Sequence, residues 1–340
     1  MKKNVNIGII GAGLIGGKRA EAIAETKLGT IAMIADSDLK KAVVLAEKYS
    51  AEATAEWKEI IRSKDIDAVI VAVTNAFIYP IVLAAVKAGK HVLCEKPFGI
   101  DSKESKKMLK AAQRAKKMIK VGFNHRFLDH VIKARKIFAD GGIGNPLFIR
   151  ARYGHGGRKG MDKEWRLDKK ISGGGELLDQ GVHVVDLARL FGGEFDRAYG
   201  KTQVKYWHNK RKLDDNAFAI ISNHQTTCSF HVSTTQWENI FSFEVFGDKG
   251  FLRIEGRGGR YGDQMLTYGI KAPVVGLSDL QNFNFGKKDN SWVNEWKNFI
   301  EAIAKKKPID GNALDGLRAN QIVEAIYDSS RKMREVKIKY

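Results

Sequence analysis

Residues 5–16 read VNIGIIGAGLIG. A short apolar run, VNIGII, leads straight into a glycine cluster, and the cluster leads into a helical pattern that extends to about Thr26. Gly11, Ala12, Gly13, Leu14, Ile15 and Gly16 form G-x-G-x-x-G between the strand and the helix. The first glycine permits a tight turn, the second lets backbone approach a pyrophosphate, and the third lets the helix pack closely on the strand. Free N–H groups at the helix N-terminus favour anionic oxygen there. The expectation is a dinucleotide-binding βαβ unit.

The same alternation continues outward. Apolar runs at 30–35, 67–73, 91–94 and 119–123 are separated by helical patterns over about 39–49, 77–88 and 102–117. Runs that are apolar throughout fit strands covered on both faces, as in a parallel sheet with crossover helices. Residues 1–123 are therefore expected to form a doubly wound Rossmann domain. After residue 123 the rhythm changes. Strand-like runs at 147–153, 217–223, 227–235, 241–247 and 250–256 are joined by short polar turns. Period-two patterning with hairpin links predicts an open, mostly antiparallel sheet. Helical patterns at 129–139, within 172–191, at 293–305 and at 313–331 complete an α+β domain over 124–340, with the option that its last helices pack back on the first domain. The fold class expected is α/β.

A chain of 340 residues with 44% hydrophobic and 29% charged residues fits a folded protein of two domains. No window holds 18 uninterrupted apolar residues, so no membrane span is expected. Lysines near the N-terminus are followed by glycines rather than a signal-peptide core. Cys94 and Cys228 are too few and too far apart for a disulfide framework or a metal site, and a reducing cytoplasm is expected. The formal charge of +19 attracts anions. Much of it is lysine at helical spacing, as in residues 103–120, so a solvated face is preferred to a nucleic-acid surface.

Asp36 ends the second strand, 20 residues beyond Gly16. A carboxylate there accepts from ribose hydroxyls and repels a 2′-phosphate, so NAD is favoured over NADP, with Ser37 beside it. The alternative is an ordinary turn aspartate. The strand at 91–94 ends in Glu95, Lys96 and Pro97. Proline restricts Lys96 to an extended pose at the carboxyl end of a strand, where ligands gather in such domains. On its own the stretch also reads as a solvated turn. In SGGGELLDQGVHVVD (172–186) a flexible glycine loop is expected to open a helix on which Asp179 and His183, four residues apart, share a face. Imidazole suits proton traffic near neutrality, and a single histidine with no Cys or second His nearby argues against a metal site here. Asp186 is a second candidate to orient His183.

Taken in order, GAGLIG, Asp36, AGKHVLCEKPFG (88–99), VGFNHRF (121–127) and SGGGELLDQGVHVVD resemble the landmarks of the glucose-fructose oxidoreductase and inositol dehydrogenase family, Gfo/Idh/MocA, over essentially the whole chain. The resemblance implies an NAD(H)-dependent enzyme acting on a secondary alcohol of a sugar, cyclitol or nucleotide sugar. It implies Lys96 as the catalytic lysine, His183 as acid or base, and Asp179 as relay or substrate contact. Glu95, Lys96, Thr74 and Asn75 border the cofactor by the same resemblance. Asn124, Arg126, Arg152, Trp165 and Arg166 would line the substrate pocket. A homodimer or homotetramer through the open sheet is implied as well, with no metal. One departure stands out: Thr74-Asn75-Ala76-Phe77-Ile78-Tyr79 replaces the family's Thr-Pro-Asn and following histidine. A non-catalytic dinucleotide sensor is the competing class, disfavoured by retention of Lys96, Asp179 and His183. Inositol is the alternative substrate within the enzyme class.

Overall fold

The structure is a computed structural model that describes residues 5–207, 213–274 and 278–340. The chain clusters into two compact units, one of residues up to Asn124 together with Trp292–Leu317, the other of His125–Ser291 and Arg318–Tyr340. The first unit is thus discontinuous in sequence. Among the described residues, no helix is long and apolar enough to cross a membrane.

In the first unit, strands β1 (Asn6–Ile10), β2 (Thr30–Ala35), β3 (Glu52–Thr54), β4 (Ala68–Val71), β5 (His91–Cys94) and β6 (Ile119–Val121) alternate with helices α1 (Leu14–Thr26), α2 (Leu39–Glu47), α3 (Trp57–Arg62), α4 (Asn75–Lys87) and α5 (Ser102–Ala115). The sheet is parallel, in the order β3-β2-β1-β4-β5-β6. Its order reverses between β1 and β4, where ligands bind in open α/β sheets. Helix α5 shows how local sequence sets an element. Asp101 accepts from the Glu104 N–H at 2.8 Å, and the Glu104 carboxylate accepts from Ile100 N at 3.0 Å, so two end donors are satisfied. Ser105, Met108 and Ala112 face inward while Lys103, Lys107, Lys110 and Arg114 are exposed.

Ile7, Ile9, Ile34, Ile70 and Leu93 from the sheet, and Ala20 and Ile23 from α1, form a buried cluster that also takes in Trp296 and Phe299. Those aromatic residues belong to a late helix, Ser291–Lys305, which this unit recruits from the far end of the chain. Within the unit lies a polar core as well. Arg19 of α1, 1% exposed, donates from Nε to Glu95 Oε1 at 2.8 Å and from Nη1 to Glu295 Oε2 at 2.5 Å. Burial works against the charge on Arg19, but the two carboxylates outweigh it and keep the guanidinium protonated. Burial pushes the Glu295 carboxyl up, opposed by Arg19 and Lys120. Lys120, fully buried, donates to Asn298 Oδ1 at 3.0 Å and to the Asp310 carbonyl.

The second unit is built on a nine-stranded sheet. Its strands in chain order are β7 (Pro146–Gly154), β8 (Arg197–Gln203), β9 (Asn216–Ser222), β10 (Thr227–Ser233), β11 (Ile240–Gly247), β12 (Gly250–Glu255), β13 (Met265–Lys271), β14 (Ser278–Asn284) and β15 (Val336–Lys337), in the order β14-β13-β12-β11-β7-β10-β9-β8-β15. All pairs are antiparallel except β7 with β10. On β7, Ile149, Ala151 and Tyr153 are buried, and Phe148, Arg150 and Arg152 are exposed. That period of two divides a packed face, against which the helix Val182–Gly192 lies, from an open face carrying Tyr199, Phe218 and Ile220. Strands β8, β13 and β14 escaped the sequence reading; Arg197–Gln203 and Met265–Lys271 carry polar residues and glycine that dilute the apolar signal.

Replacing Arg19 with Met leaves two buried carboxylates with only Lys120 to offset them, and the expected loss of unfolding free energy is about 3–5 kcal/mol. Urea denaturation checks this against Lys103→Ala, an exposed site expected to change stability by less than about 0.5 kcal/mol. In the second unit His130 is fully buried, with Nε2 at 2.9 Å from the Gly256 carbonyl. Burial lowers its pKa from 6.5 to about 4, partly opposed by that hydrogen bond. The unfolded chain therefore binds a proton that the folded chain refuses. Stability is intact above pH 6.5 and falls as the pH drops towards 4, by a total of about 3 kcal/mol. His130→Gln should remove this share of the acid-side slope in pH-dependent denaturation.

Candidate active site

In the first unit the glycine turn after β1 is shaped by contacts that exclude side chains. Gly11 has φ +101°, and a Cβ on it would lie 2.3 Å from the Ala72 carbonyl oxygen. A Cβ on Gly16 would lie 1.8 Å from the Gly11 oxygen. Gly13, by contrast, is exposed, and a Cβ on it would meet nothing within 4 Å. It stands at the start of α1 with no side-chain cap, so the helix N-terminus opens on free space. Asp36 reaches across from the end of β2. Its Oδ2 accepts from Ala12 N at 2.8 Å and its Oδ1 from Asp38 N at 3.0 Å, which fixes the carboxylate against the glycine turn. Leu14, Ser37 and Gly13 are exposed, and Ala12 and Ile15 are half-buried. These features fit a dinucleotide: an uncapped helix end and an open glycine for phosphate, and an anchored carboxylate for ribose hydroxyls.

Thr74 is the residue before α4, and Asn75 opens that helix and is buried. The altered segment therefore still forms a helix start. At the end of β5, Glu95 is buried in its pair with Arg19, while Lys96 is half-buried and its bond to Pro97 is cis. A Cβ at Gly122 would lie 2.8 Å from both Arg19 Nη2 and Glu95 Oε2. The glycine of VGFNHRF thus makes room for that ion pair. Asn124, 5% exposed, ends the unit at the start of a 3-10 turn, Asn124–Phe127.

The second unit holds the other expected residues. The glycine run 173–175 is not a flexible loop. Gly174 and Gly175 are buried, and a Cβ on Gly175 would lie 2.4 Å from the Asp214 carbonyl oxygen. Tyr327 donates to Asp214 Oδ1 at 2.8 Å and its hydroxyl accepts from Gly175 N at 3.0 Å, so the run is clamped. Leu177–Gly181 then form a wide π turn that leads into the helix Val182–Gly192, in place of the continuous α-helix expected. Such turns recur at functional sites.

His183, 4% exposed, stacks on His125 with ring centroids 3.9 Å apart and planes at 15°. Asp179 is half-buried and paired with Arg166 at 3.3 Å, and Arg166 lies over the Trp165 ring at 4.7 Å and reaches Glu164 at 3.1 Å. Asp179, Arg166 and Trp165 are thus brought together. Arg126 is buried in a two-pronged pair with Asp186 at 2.7 and 2.6 Å. Its Nε and Nη2 are thus held by the Asp186 carboxylate. Arg152 does not join this group: it alternates with Tyr153 on β7 and lines the open sheet face beside Tyr199, Phe218 and His231. The expectation that Arg152 lines the substrate pocket is corrected by strand alternation, since its neighbour Tyr153 is the residue that packs edge-on to His125 at 5.2 Å. The sequence gives no sign of His125, for want of any periodic signal, or of Arg257, whose Nη1 reaches His125 Nε2 at 3.5 Å, because nothing local links residue 257 to residue 125.

Comparison with known proteins agrees with this geometry. Residues 5–123 match the family described as an oxidoreductase family with an NAD-binding Rossmann fold, and residues 131–253 match the GFO/IDH/MocA C-terminal domain. The levoglucosan dehydrogenase of Pseudarthrobacter phenanthrenivorans is 34% identical, over 97% of this chain and 97% of its own. The glucose-6-phosphate 3-dehydrogenase of Bacillus subtilis is 27% identical over 99% of each chain. A solved levoglucosan dehydrogenase in complex with NADH and levoglucosan superposes with a TM-score of 0.91 at 25% identity, covering 99% of this chain and 100% of that one. A glycine turn with an anchored Asp36, followed by a second unit of the matching architecture, has its explanation in common descent: the chain belongs to the Gfo/Idh/MocA oxidoreductase family, with an NAD-binding Rossmann fold.

Proposed function

We propose that the protein is an NAD(H)-dependent dehydrogenase that interconverts a secondary carbinol and a ketone on a sugar or cyclitol ring. The observation that carries this reading is His183, a buried imidazole directly beyond a π turn that presents Asp179, in a chain whose glycine turn and Asp36 suit NAD. A sugar is supported by the substrates named for the relatives, an anhydro sugar and a hexose phosphate. A nucleotide-activated sugar is the neighbouring reading, favoured by the charge of +19.

Backbone N–H groups at the start of α1 hold the pyrophosphate, Asp36 accepts from the adenosine ribose, and Thr74, Asn75 and Glu95 line or support the cofactor side. NAD, when bound, supplies the hydride acceptor. In the oxidative direction His183 accepts the hydroxyl proton as general base, and Lys96 stabilises the alkoxide character that develops on that oxygen. Asp179 relays the proton or holds a neighbouring hydroxyl, with Arg166 fixing its carboxylate. Asn124 and Trp165 complete the substrate contacts. Asp186 holds the Arg126 guanidinium in place.

The open face of the second unit's sheet is the proposed homo-oligomer interface, where Tyr199, Phe218 and Ile220 are each about half exposed on adjacent strands β8 and β9.

Lys96→Ala and His183→Ala should each lower kcat by roughly 10²- to 10⁴-fold. NAD affinity, read by fluorescence titration, should stay within about threefold, since neither side chain binds the pyrophosphate or adenosine ribose. Near-native turnover in either variant would overturn the assignment. Phe218→Glu should shift the protein towards monomer in sedimentation velocity; a monomeric wild type would remove the interface.

A further inference from the structure

Among the described residues, three arginines whose side chains are at least nine-tenths buried come with carboxylates, and the half-buried Arg257 does not. Arg19 has Glu95 and Glu295, Arg126 has Asp186, and Arg189 has Glu194. Arg257, just past β12, has none within ion-pair distance among the described residues. Its Nη1 donates to the Tyr153 hydroxyl at 2.7 Å and reaches His125 Nε2 at 3.5 Å. The guanidinium lies over the Tyr261 ring at 4.7 Å, and its Nε is out of solvent without a hydrogen-bond partner. Asp289 acts on it only from farther away. Burial keeps the Tyr261 hydroxyl neutral, so it stays a donor.

A guanidinium drawn partly out of water with only neutral groups in hydrogen-bond reach is costly, and an anion bound beside it would offset that cost. Here it stands one ring away from the His183 and His125 stack, in the same unit. The planar fork of arginine suits a two-oxygen anion, and hydrogen bonds to charged groups are each worth about 1.5–3 kcal/mol.

We propose that Arg257, flanked by Tyr153 and Tyr261, is a specificity-determining anchor for an acidic oxyanion substituent, phosphate or carboxylate, on the sugar that His183 serves. This rests on the dehydrogenase reading and narrows its substrate to acidic sugars. Phosphate and carboxylate share the chemistry; the experiment separates them.

The test is binding to the NADH-loaded protein, followed by NADH fluorescence, with glucose 6-phosphate, glucuronate and glucose as probes. At least one acidic sugar should bind at least about tenfold more tightly than glucose, the equivalent of one charge-assisted hydrogen bond. The phosphate and carboxylate arms show which oxyanion is preferred. In Arg257→Gln the acidic-to-neutral affinity ratio should fall to about one, and Arg257→Lys should keep part of it, having the charge without the fork. No preference in the wild type, a comparison that needs no variant to fold, overturns the proposal. So does a preference that survives Arg257→Gln. Because the readout is binding, it decides this inference even if none of the three sugars is oxidised, whereas failure of every polyol to reduce NAD overturns the dehydrogenase reading alone.

Discussion

Arg19 holds two carboxylates inside the first unit, and the arrangement around the cofactor turn depends on that grip. The guanidinium projects from the helix that follows the glycine turn, takes Glu95 at the end of β5 and Glu295 from the late helix, and lies against the Trp292 ring. With Lys120 nearby, two buried cations meet two buried carboxylates, so the charges balance without solvent. Glu95 immediately precedes Lys96. The strand end that presents the proposed catalytic lysine is therefore tied to the helix that receives the dinucleotide. A charged end to an apolar strand is explained by a partner 76 residues earlier in the chain.

In the second unit the constraint is close packing rather than charge. Gly174 and Gly175 let the chain pass within contact distance of Tyr327 and Asp214, and the clamp sets where the π turn begins. The turn then delivers Asp179 to Arg166 and His183 to His125. Helical spacing alone would have put Asp179 and His183 on one face of a single α-helix. The wider turn gives each its own partner.

Much of the fold was legible because its signals are local. Uniformly apolar runs mark strands covered on both faces, and the G-x-G-x-x-G stretch marks the first crossover. Strands such as β8 and β13 were hidden because half-exposed strands carry polar residues and glycine, so their pairing, not their composition, makes them strands. The family resemblance puts Arg152 with the substrate residues, yet a one-residue step along β7 turns a side chain to the opposite face.

The sequence by itself determined the dinucleotide turn, the carboxylate at the end of β2, the two-part architecture and the positions of Lys96, Asp179 and His183, since each is carried by residue type at short spacing. Only the tertiary structure decided which charges meet. Arg19 with Glu95 and Glu295, Arg126 with Asp186, and Arg257 beside Tyr153, Tyr261 and His125 join residues between 60 and 276 positions apart, except Tyr261, only four from Arg257. No periodicity records such pairs, because what selects them is the cost of leaving a buried charge alone, and that cost exists only once the chain has folded around it.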